Sequence, residues 1–253
     1  MRFEIVTVPC LKDNYAFLLH DHASGETAVF DVPEAAPIAA ALDARGWTLT
    51  DIVLTHHHAD HIDGVPHLPG NARVIGAEAD AHRLPALDMG VKGGDRLTIC
   101  GTEVRVIEVP GHTLGHVAYH VPEAGAVFTG DSLMALGCGR LFEGTAPQMW
   151  ASLSALAALP PATLVCSGHE YTAGNARFAL EIDPDNAALR DRAQGVSAAR
   201  AEGRPTVPSR LSDELATNPF LRAGDAGLKS RLGMAGASDA AVFAEIRARK
   251  DRF

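Results

Sequence analysis

The sequence has few cysteines, and they lie far apart. Only four occur in 253 residues, and no two of them form a C-x-x-C pair. Disulfides are rare in a reducing compartment, so this usage favours a cytoplasmic protein without a disulfide framework. We predict that Cys10, Cys100 and Cys166 are inert core residues. We also predict that Cys138, in a glycine-flanked loop, is buried and unreactive.

The sequence also lacks a long apolar run and an excess of basic residues. No run approaches the length of a membrane span, and the first residues show strand-like alternation instead of the apolar region of a signal peptide. The formal net charge is −9, which argues against a nucleic acid partner. We therefore expect a cytoplasmic protein that binds neither a membrane nor nucleic acid.

The chain does contain a dense histidine motif. Four of its twelve histidines lie within residues 55–64, directly after the apolar run 51–54, which is typical of a buried strand. In an extended stretch alternate side chains share a face, so His56 and His58 point together while His57 points away. Imidazole is a ligand that divalent zinc, iron and manganese accept, so this spacing predicts a metal site.

Further ligands are predicted beside this motif and at three other strand ends. Within the motif, Asp60 and His61 follow where the chain can turn into a helix. Three more apolar strands are each followed by one ligand-type residue, namely His112, Asp131 and His169. Sites in α/β proteins are built in this way, on loops fixed by a rigid sheet. The resulting five histidines and two aspartates suffice for two metals that share one bridging carboxylate.

This motif set resembles that of the metallo-β-lactamase superfamily. The resemblance implies an αββα sandwich, in which two mixed sheets pack face to face with helices outside. It also implies which metal each ligand binds. The first metal is bound by His56, His58 and His112, the second is bound by Asp60, His61 and His169, and Asp131 bridges both. The superfamily includes hydrolases, nucleases and dioxygenases, so the fold alone does not decide the reaction.

Hydrophobic periodicity predicts two regions of different structure. Up to residue 170 the pattern is mixed, with strands at 2–8, 14–20, 27–32, 51–54, 72–75, 96–99, 103–109, 116–121, 125–129 and 163–166, and helices at 34–45 and 147–159. Beyond it the pattern is helical only, at 172–182, 186–202 and 238–250. We predict a catalytic domain at 1–170 and an all-helical substrate-binding domain at 171–253.

The C-terminus is basic although the chain is acidic. Its last seven residues contain four basic side chains and one acidic side chain, Asp251. Cations at a helix C-terminus suit the helix dipole, so a solvated helix end is one interpretation. A local clamp for an anionic ligand is the other.

Within the superfamily, several segments resemble glyoxalase II, the hydroxyacylglutathione hydrolases. These are residues 137–145, 169–172, 217–222 and the basic end 247–251, so that the resemblance covers nearly the whole chain. It implies that glutathione is bound by Arg140, Phe142, Tyr171, Arg247 and Lys250. Phe142 stands where some members carry a tyrosine, and it can pack on the ligand but cannot donate a hydrogen bond.

The resemblance implies the hydrolysis of a glutathione thioester, such as S-D-lactoylglutathione, in methylglyoxal detoxification. Two divalent ions, zinc or alternatively iron or manganese, lower the pKa of a bridging water, and the resulting hydroxide attacks the thioester carbonyl. Asp60 and Asp131 set the metal charge and orient the hydroxide. We expect the chain to act as a monomer with a small-molecule substrate.

Two other functions are compatible with parts of the pattern. One is a mononuclear-iron dioxygenase that acts on glutathione persulfide, against which the complete second ligand set argues. The other is a non-catalytic metal-binding or glutathione-binding module, but purely structural zinc sites are closed and usually rich in cysteine. Among the remaining histidines, His57 is predicted to be a structural hydrogen-bonder. His116 either orients a metal ligand or merely begins the next strand.

Overall fold

The computed structural model describes residues 2–253. Its strands are β1 Phe3–Cys10, β2 Asn14–Asp21, β3 Glu26–Phe30, β4 Thr48–Val53, β5 Arg73–Ala77, β6 Met89–Val91, β7 Arg96–Ile99, β8 Thr102–Glu108, β9 Val117–Val121, β10 Ala126–Gly130, β11 Leu133–Met134, β12 Gly137–Cys138, β13 Leu164–Ser167 and β14 Ser209–Arg210. Its α-helices are α1 Ala35–Asp43, α2 Ala59–Ile62, α3 Ala146–Ala157, α4 Thr172–Ile182, α5 Ala187–Ala201, α6 Leu211–Thr217, α7 Ala226–Arg231 and α8 Asp239–Arg252.

The strands and helices expected from periodicity are confirmed, with bounds that differ by no more than three residues. The elements that periodicity missed are short: β6, β11, β12, β14, α6 and α7. The C-terminal region is therefore helical but not all-helical, because β14 pairs antiparallel with Leu164 and Val165 of β13. A two-residue strand is too short to show an alternating pattern, so its partner strand and not its own sequence determines it.

The chain divides into two compact units. One consists of the residues up to Glu108 with Gly115–Gly130, and the other of Val109–Leu114 with Asp131–Phe253. The predicted domain boundary after residue 170 is a different division, and it stays a prediction. No helix among residues 2–253 is long and apolar enough to span a membrane.

The first unit contains a mixed six-stranded sheet with the strand order β1-β2-β3-β4-β5-β6. Its first three strands are antiparallel neighbours, whereas β3 to β6 run parallel to one another. Strands β7 to β10 of the same unit form an antiparallel ladder. The loops after β3 and β4 both leave the carboxyl ends of parallel strands, where α/β proteins position functional groups.

The core of the first unit lies between these two sets of strands. Phe30 of β3 stacks on Phe128 of β10, with ring centroids 3.5 Å apart, and Phe17 of β2 contacts the same ring. The alternate residues of β2, such as Leu18, face the other side and pack with Ile38 of α1. Since side chains alternate along a strand, β2 is buried on both faces, and its centre, residues 15–19, is a continuous apolar run.

The second unit contains helices α3 to α8 and the short strands β11 to β14. Helix α3 begins with a capping box, in which the Thr145 side chain and the Gln148 side chain bond each other's backbone amides. Helices α5, α7 and α8 are preceded by the N-cap residues Asn186, Asp225 and Ser238, whose side chains accept a hydrogen bond from the first turn. Local capping signals therefore fix the starts of four of these helices.

All four cysteines are buried free thiols, as predicted. Burial raises the pKa of Cys10 to about 11, of Cys100 to about 12 and of Cys138 to about 11, and it also raises the pKa of Cys166. The thiolate is the reactive form, and each unit of pKa removes a factor of about ten from its population. We expect iodoacetamide at about pH 8 to label the native protein at least roughly a hundredfold more slowly than the unfolded protein. One rapidly labelled cysteine, located by peptide mass mapping, would contradict this prediction.

Candidate metal centre

Four of the predicted ligands lie in the loop and short helix that follow β4. His56 is fully buried, and its Nε2 lies 3.2 Å from Nδ1 of the half-buried His58. His61 is also fully buried, and its Nε2 lies 3.9 Å from Oδ2 of Asp60. The first unit thus brings its predicted ligands together at the carboxyl end of a core strand, and His56 and His58 face each other as the alternation of side chains predicts.

A buried aspartate, Asp31, determines the tautomers of two of these histidines. Oδ2 of Asp31 lies 2.9 Å from Nδ1 of His61 and accepts a hydrogen bond of 2.8 Å from the Thr55 hydroxyl. Because the only hydroxyl proton of Thr55 goes to Asp31, its oxygen accepts from Nδ1 of His56, 3.0 Å away. Both histidines then carry the proton on Nδ1 and present the lone pair of Nε2, which is the metal-binding form.

We expect Asp31→Asn to weaken metal binding by about 10- to 100-fold, the usual effect of removing a partner that orients a metal ligand. Asparagine tolerates the positive φ of 56° at this position but cannot accept from both Thr55 and His61 through the same charged group. Zinc affinity measured by chelator competition checks the prediction. Asp51→Asn is the matched control, since Asp51 is equally buried but bonds Arg73 instead of a ligand. Equal zinc affinities in the two variants would contradict it.

Other residues of the first unit hold the same loop. Asn14 donates from Nδ2 to both the backbone oxygen and Oδ2 of Asp60, at 2.9 and 3.0 Å. His57 points elsewhere and lies 3.0 Å from Oδ2 of the buried Asp80, which confirms its predicted structural role. His116 immediately precedes β9, and its buried ring stacks on that of His56 at 4.5 Å. It therefore lies just before a strand and packs on a predicted ligand.

The other three predicted ligands lie together in the second unit. Oδ2 of Asp131 is 3.4 Å from Nε2 of His112 and 3.3 Å from Nε2 of His169, and all three residues are buried. Nδ1 of His112 donates to the backbone oxygen of Arg140 at 2.8 Å, so its Nε2 also presents a lone pair. Asp131 follows β10 and His169 follows β13, as the strand-end argument predicts.

These donor sets fit divalent metal ions. Ligand atoms bonded to one zinc at about 2.0–2.2 Å in tetrahedral geometry lie roughly 3.3 Å from one another. The separations of 3.2 Å between His56 and His58, 3.4 Å between His112 and Asp131, and 3.3 Å between His169 and Asp131 match this value. In His56, His61 and His112 the Nδ1 atom is bonded to a protein oxygen, which leaves Nε2 as the donor, whereas His58 turns its Nδ1 toward His56.

Three predicted substrate-binding residues lie beside the ligands of the second unit. The Tyr171 ring stacks on that of His169 at 4.5 Å and is partly exposed. The Phe142 ring lies 5.3 Å from that of His112 and is 61% exposed. The guanidinium of Arg140 lies 5.9 Å from the Phe142 ring and 3.8 Å from a carboxylate oxygen of Asp251 on α8. Exposed aromatic rings and a cation thus border His112 and His169.

The two predicted substrate-binding residues of α8 differ in their surroundings. Arg247 is only 6% exposed, and it donates to the backbone oxygen of Cys138 at 3.1 Å and to Asp251 at 2.9 Å. The Lys250 ammonium lies 5.0 Å from the rings of both Phe178 and Phe253, and burial, followed by Arg247 and Arg177, lowers its pKa. An exposed helix end does not describe Arg247, which is a buried cation.

Sequence reasoning missed the residues that support the ligands: Asn14, Asp31, Thr55 and Asp80. Asp31 carried a usable signal, because it directly follows an apolar strand as the predicted ligands do. The predicted strand 27–32 extended past this position, whereas the strand ends at Phe30. Asn14 and Asp80 carry no local signal of this kind, since the residues that they support, Asp60 and His57, lie far from them in the sequence. Thr55 is adjacent to His56, but the bond that directs its hydroxyl proton goes to the distant Asp31.

Both parts of the chain match known protein families. Residues 16–169 match the model of the metallo-beta-lactamase superfamily, and residues 170–253 match the model of the hydroxyacylglutathione hydrolase C-terminus. A curated protein of Ruegeria pomeroyi named hydroxyacylglutathione hydrolase is 66% identical over 100% of both chains. This similarity covers the predicted ligands and the C-terminal basic residues alike.

Solved structures support the fold. The chain of ETHE1 from Myxococcus xanthus superimposes with a TM-score of 0.68 and 26% identity, over 98% of this chain and 90% of that one. TTHA1623, solved in a di-iron-bound form, superimposes with a TM-score of 0.60 and 25% identity, over 86% of this chain and 100% of that one.

Proposed function

Because the chain belongs to the hydroxyacylglutathione hydrolase family of the metallo-β-lactamase superfamily, we propose that it hydrolyses S-(2-hydroxyacyl)glutathione. The substrate we propose is S-D-lactoylglutathione, with glutathione and D-lactate as products, in methylglyoxal detoxification. The observation that carries this proposal is that Asp131 lies 3.3–3.4 Å from two imidazole Nε2 atoms, beside exposed aromatic rings and a cation.

The histidine and aspartate clusters provide donors for divalent metal ions. We propose two ions per chain, zinc in the first place and iron or manganese as substitutes, since such donors accept all three. The ligands proposed are His56, His58 and His112 for one ion, Asp60, His61 and His169 for the other, and Asp131 for both. When bound, divalent ions supply a water that is acidic enough to act as hydroxide near neutral pH, and they stabilise a developing oxyanion.

The supporting residues of the protein orient the proposed metal ligands and hold them in place. Asp31 and Thr55 keep the lone pairs of His56 and His61 directed away from the protein oxygens that bind their Nδ1 atoms. Asn14 fixes the carboxylate of Asp60 through a bond of 3.0 Å. The leaving thiol has a pKa near 8.5, so that the thiolate departs without a strong general acid. A cysteine nucleophile is not needed, and the raised pKa of Cys138 makes this thiol unsuited to the task.

We further propose that the glutathione part is bound by Arg140, Phe142, Tyr171, Arg247 and Lys250. The ammonium of Lys250 is partly withdrawn from water beside other cations, so a carboxylate at this position would relieve an unfavourable environment. Phe142 and Tyr171 offer exposed faces for packing. Arg247 is held by Cys138 and Asp251, but its Nε has no hydrogen-bond partner among residues 2–253.

Hydrolysis of S-D-lactoylglutathione by purified protein, followed as loss of the thioester absorbance, tests the proposed function. Metal content per chain is measured on the same sample, before and after loading with zinc. Turnover that depends on bound metal supports the proposal. A zinc-loaded, folded protein that leaves the thioester intact would overturn it.

The dioxygenase alternative is not favoured, because a full-length relative at 66% identity is named hydroxyacylglutathione hydrolase. Oxygen consumption with glutathione persulfide would separate the two reactions. We propose that the protein is a monomer, and its mass in solution by light scattering checks this.

A further inference from the structure

The loop between two of the proposed ligand positions is held by side chains from the C-terminal helices. Residues 134–138 contain the end of β11, the two residues that follow it, and β12. They are called the metal-loop turn from here on. Asp131 precedes the turn. Arg140, whose backbone oxygen accepts from Nδ1 of His112, follows it. The turn thus sits between two groups that contact proposed ligands.

Each of the five residues in the metal-loop turn has a backbone group bonded to one of four C-terminal side chains. The bonds are Asn218 to the oxygens of Met134 and Gly137 at 3.1 and 2.9 Å, Asn175 to the oxygen of Ala135 at 3.0 Å, the Leu136 amide to Glu214 at 2.8 Å, and Arg247 to the oxygen of Cys138 at 3.1 Å. Five consecutive residues of the turn are therefore bonded by side chains that lie far from it in the sequence.

The side chains that hold the turn are themselves fixed. Asn218 and Glu214 are fully buried, and Oε2 of Glu214 lies 3.1 Å from Nδ2 of Asn218, whose two hydrogens are shared among three acceptors. The other oxygen of Glu214 accepts from Ser209 at 2.6 Å and from Arg192. Buried polar groups are costly unless they are bonded, so this network stabilises one arrangement of the turn against others. Leu136 in that turn has a φ of 55°, a conformation that a leucine rarely adopts.

Movement of the turn would be passed to the ligands. Gly139 donates its amide to the oxygen of Ser132 at 3.0 Å, and a Cβ at this glycine would lie 1.9 Å from the backbone oxygen of Asp131 and 3.1 Å from Nδ1 of His112. The segments before and after the turn are therefore packed too closely to shift independently. A change in the turn moves the backbone that carries Asp131 and the backbone oxygen that orients His112.

We propose that Asn218 is a positioning residue for the metal centre, and that it acts by fixing the metal-loop turn. The inference rests on the proposed function, because it takes His112 and Asp131 as metal ligands. It adds a second task to the C-terminal helices, which the family resemblance links to substrate binding alone. Asn218 supplies two of the five bonds to the turn and is the single side chain with the largest share of them.

The test compares Asn218→Ala with Asn186→Ala. Asn186 is an asparagine of the same region that caps α5 and bonds Asp183 and the oxygen of Ala216, without a bond to the turn. Metal-free protein is titrated with zinc against a chelator, and thermal unfolding is recorded without metal. We expect Asn218→Ala to bind zinc about 10- to 100-fold more weakly than wild type, as loss of ligand-orienting contacts does. We expect Asn186→Ala to lower the unfolding temperature while it keeps the wild-type zinc affinity.

Kinetics with S-D-lactoylglutathione give a second readout. A positioning role lowers kcat in Asn218→Ala at saturating zinc and leaves KM near that of wild type, since the turn does not hold the substrate. Asn218→Ser keeps one hydrogen-bond donor in a smaller side chain, and it is the second variant if Asn218→Ala does not fold. We expect its zinc affinity to lie between those of Asn218→Ala and the wild type.

Equal zinc affinity per folded chain in Asn218→Ala, Asn218→Ser and Asn186→Ala would overturn the inference and leave Asn218 as a residue of general stability. Failure of the proposed function has a different signature, which is a wild-type protein that binds zinc but does not cleave the thioester. In that case the zinc titration still decides the positioning role.

Discussion

Asp131→Ala is expected to lose bound metal and turnover together while the fold persists. Its carboxylate oxygen is the atom that faces Nε2 of both His112 and His169. Removal of a proposed bridging ligand leaves two neighbouring cations without their shared anion. Metal-ion catalysis contributes several kcal/mol to the stability of the transition state, so we expect a rate loss of roughly a thousandfold or more.

Metal content per chain and kcat on S-D-lactoylglutathione check this prediction. Asp183→Ala is the matched control, because Asp183 is a buried aspartate of the same unit that bonds Arg222 and Asn186 instead of a histidine. We expect the control to be less stable and to keep its metal. An Asp131→Ala protein with the wild-type metal content and a near-normal rate would refute the bridging role.

The double variant Arg140→Ala with Lys250→Ala is expected to raise KM for the glutathione thioester about tenfold or more. A charge-assisted contact contributes about 1.5–3 kcal/mol when it is well desolvated, and less at an exposed position such as Arg140. Both residues act away from the breaking bond, so they stabilise ground state and transition state alike and change KM more than kcat. The effect should weaken with added salt, which screens the Coulomb interaction.

A small thioester without the glutathione carboxylates serves as the comparison substrate, and its hydrolysis should be nearly unchanged. Arg249→Ala is the control variant, since Arg249 lies on the same helix and pairs with Glu245 at 2.7 Å. Equal losses on both substrates would indicate a folding defect and would exclude the binding of glutathione carboxylates by Arg140 and Lys250. Arg247 is left out of this variant because its bond to the Cys138 oxygen links it to the metal-loop turn.

The hydrogen bonds of the C-terminal region indicate that its side chains affect activity in two different ways. Lys250 lies at a partly exposed position where it can meet a ligand, whereas Asn218 and Glu214 are buried behind the turn that follows Asp131. Variants of the first kind should change the affinity for substrate, and variants of the second kind should change the affinity for metal. Measurement of both quantities on each variant separates the two tasks.

The sequence alone determined the positions of most strands and helices, and it supplied the donor set that is proposed here for metal binding. Alternation and apolar runs predicted the long elements to within three residues, because side-chain burial repeats with the period of each element. The same local rule placed His56 and His58 on one face, with His57 on the other, and put ligand-type residues within two positions of the ends of strands β10 and β13. These features depend on neighbours in the chain.

Only the tertiary structure decided what supports those residues. Asp31 bonds His61 from 30 positions away, and Asn218 bonds Met134 from 84 positions away, so no pattern of neighbouring residues can encode either pair. The same holds for Arg247, which is buried and bonds the backbone oxygen of Cys138, 109 positions earlier in the chain, so that the solvated helix end, one of the two interpretations of the basic C-terminus, does not apply to it. Burial and hydrogen-bond partners arise when distant elements pack, and packing is what assigned these residues their roles.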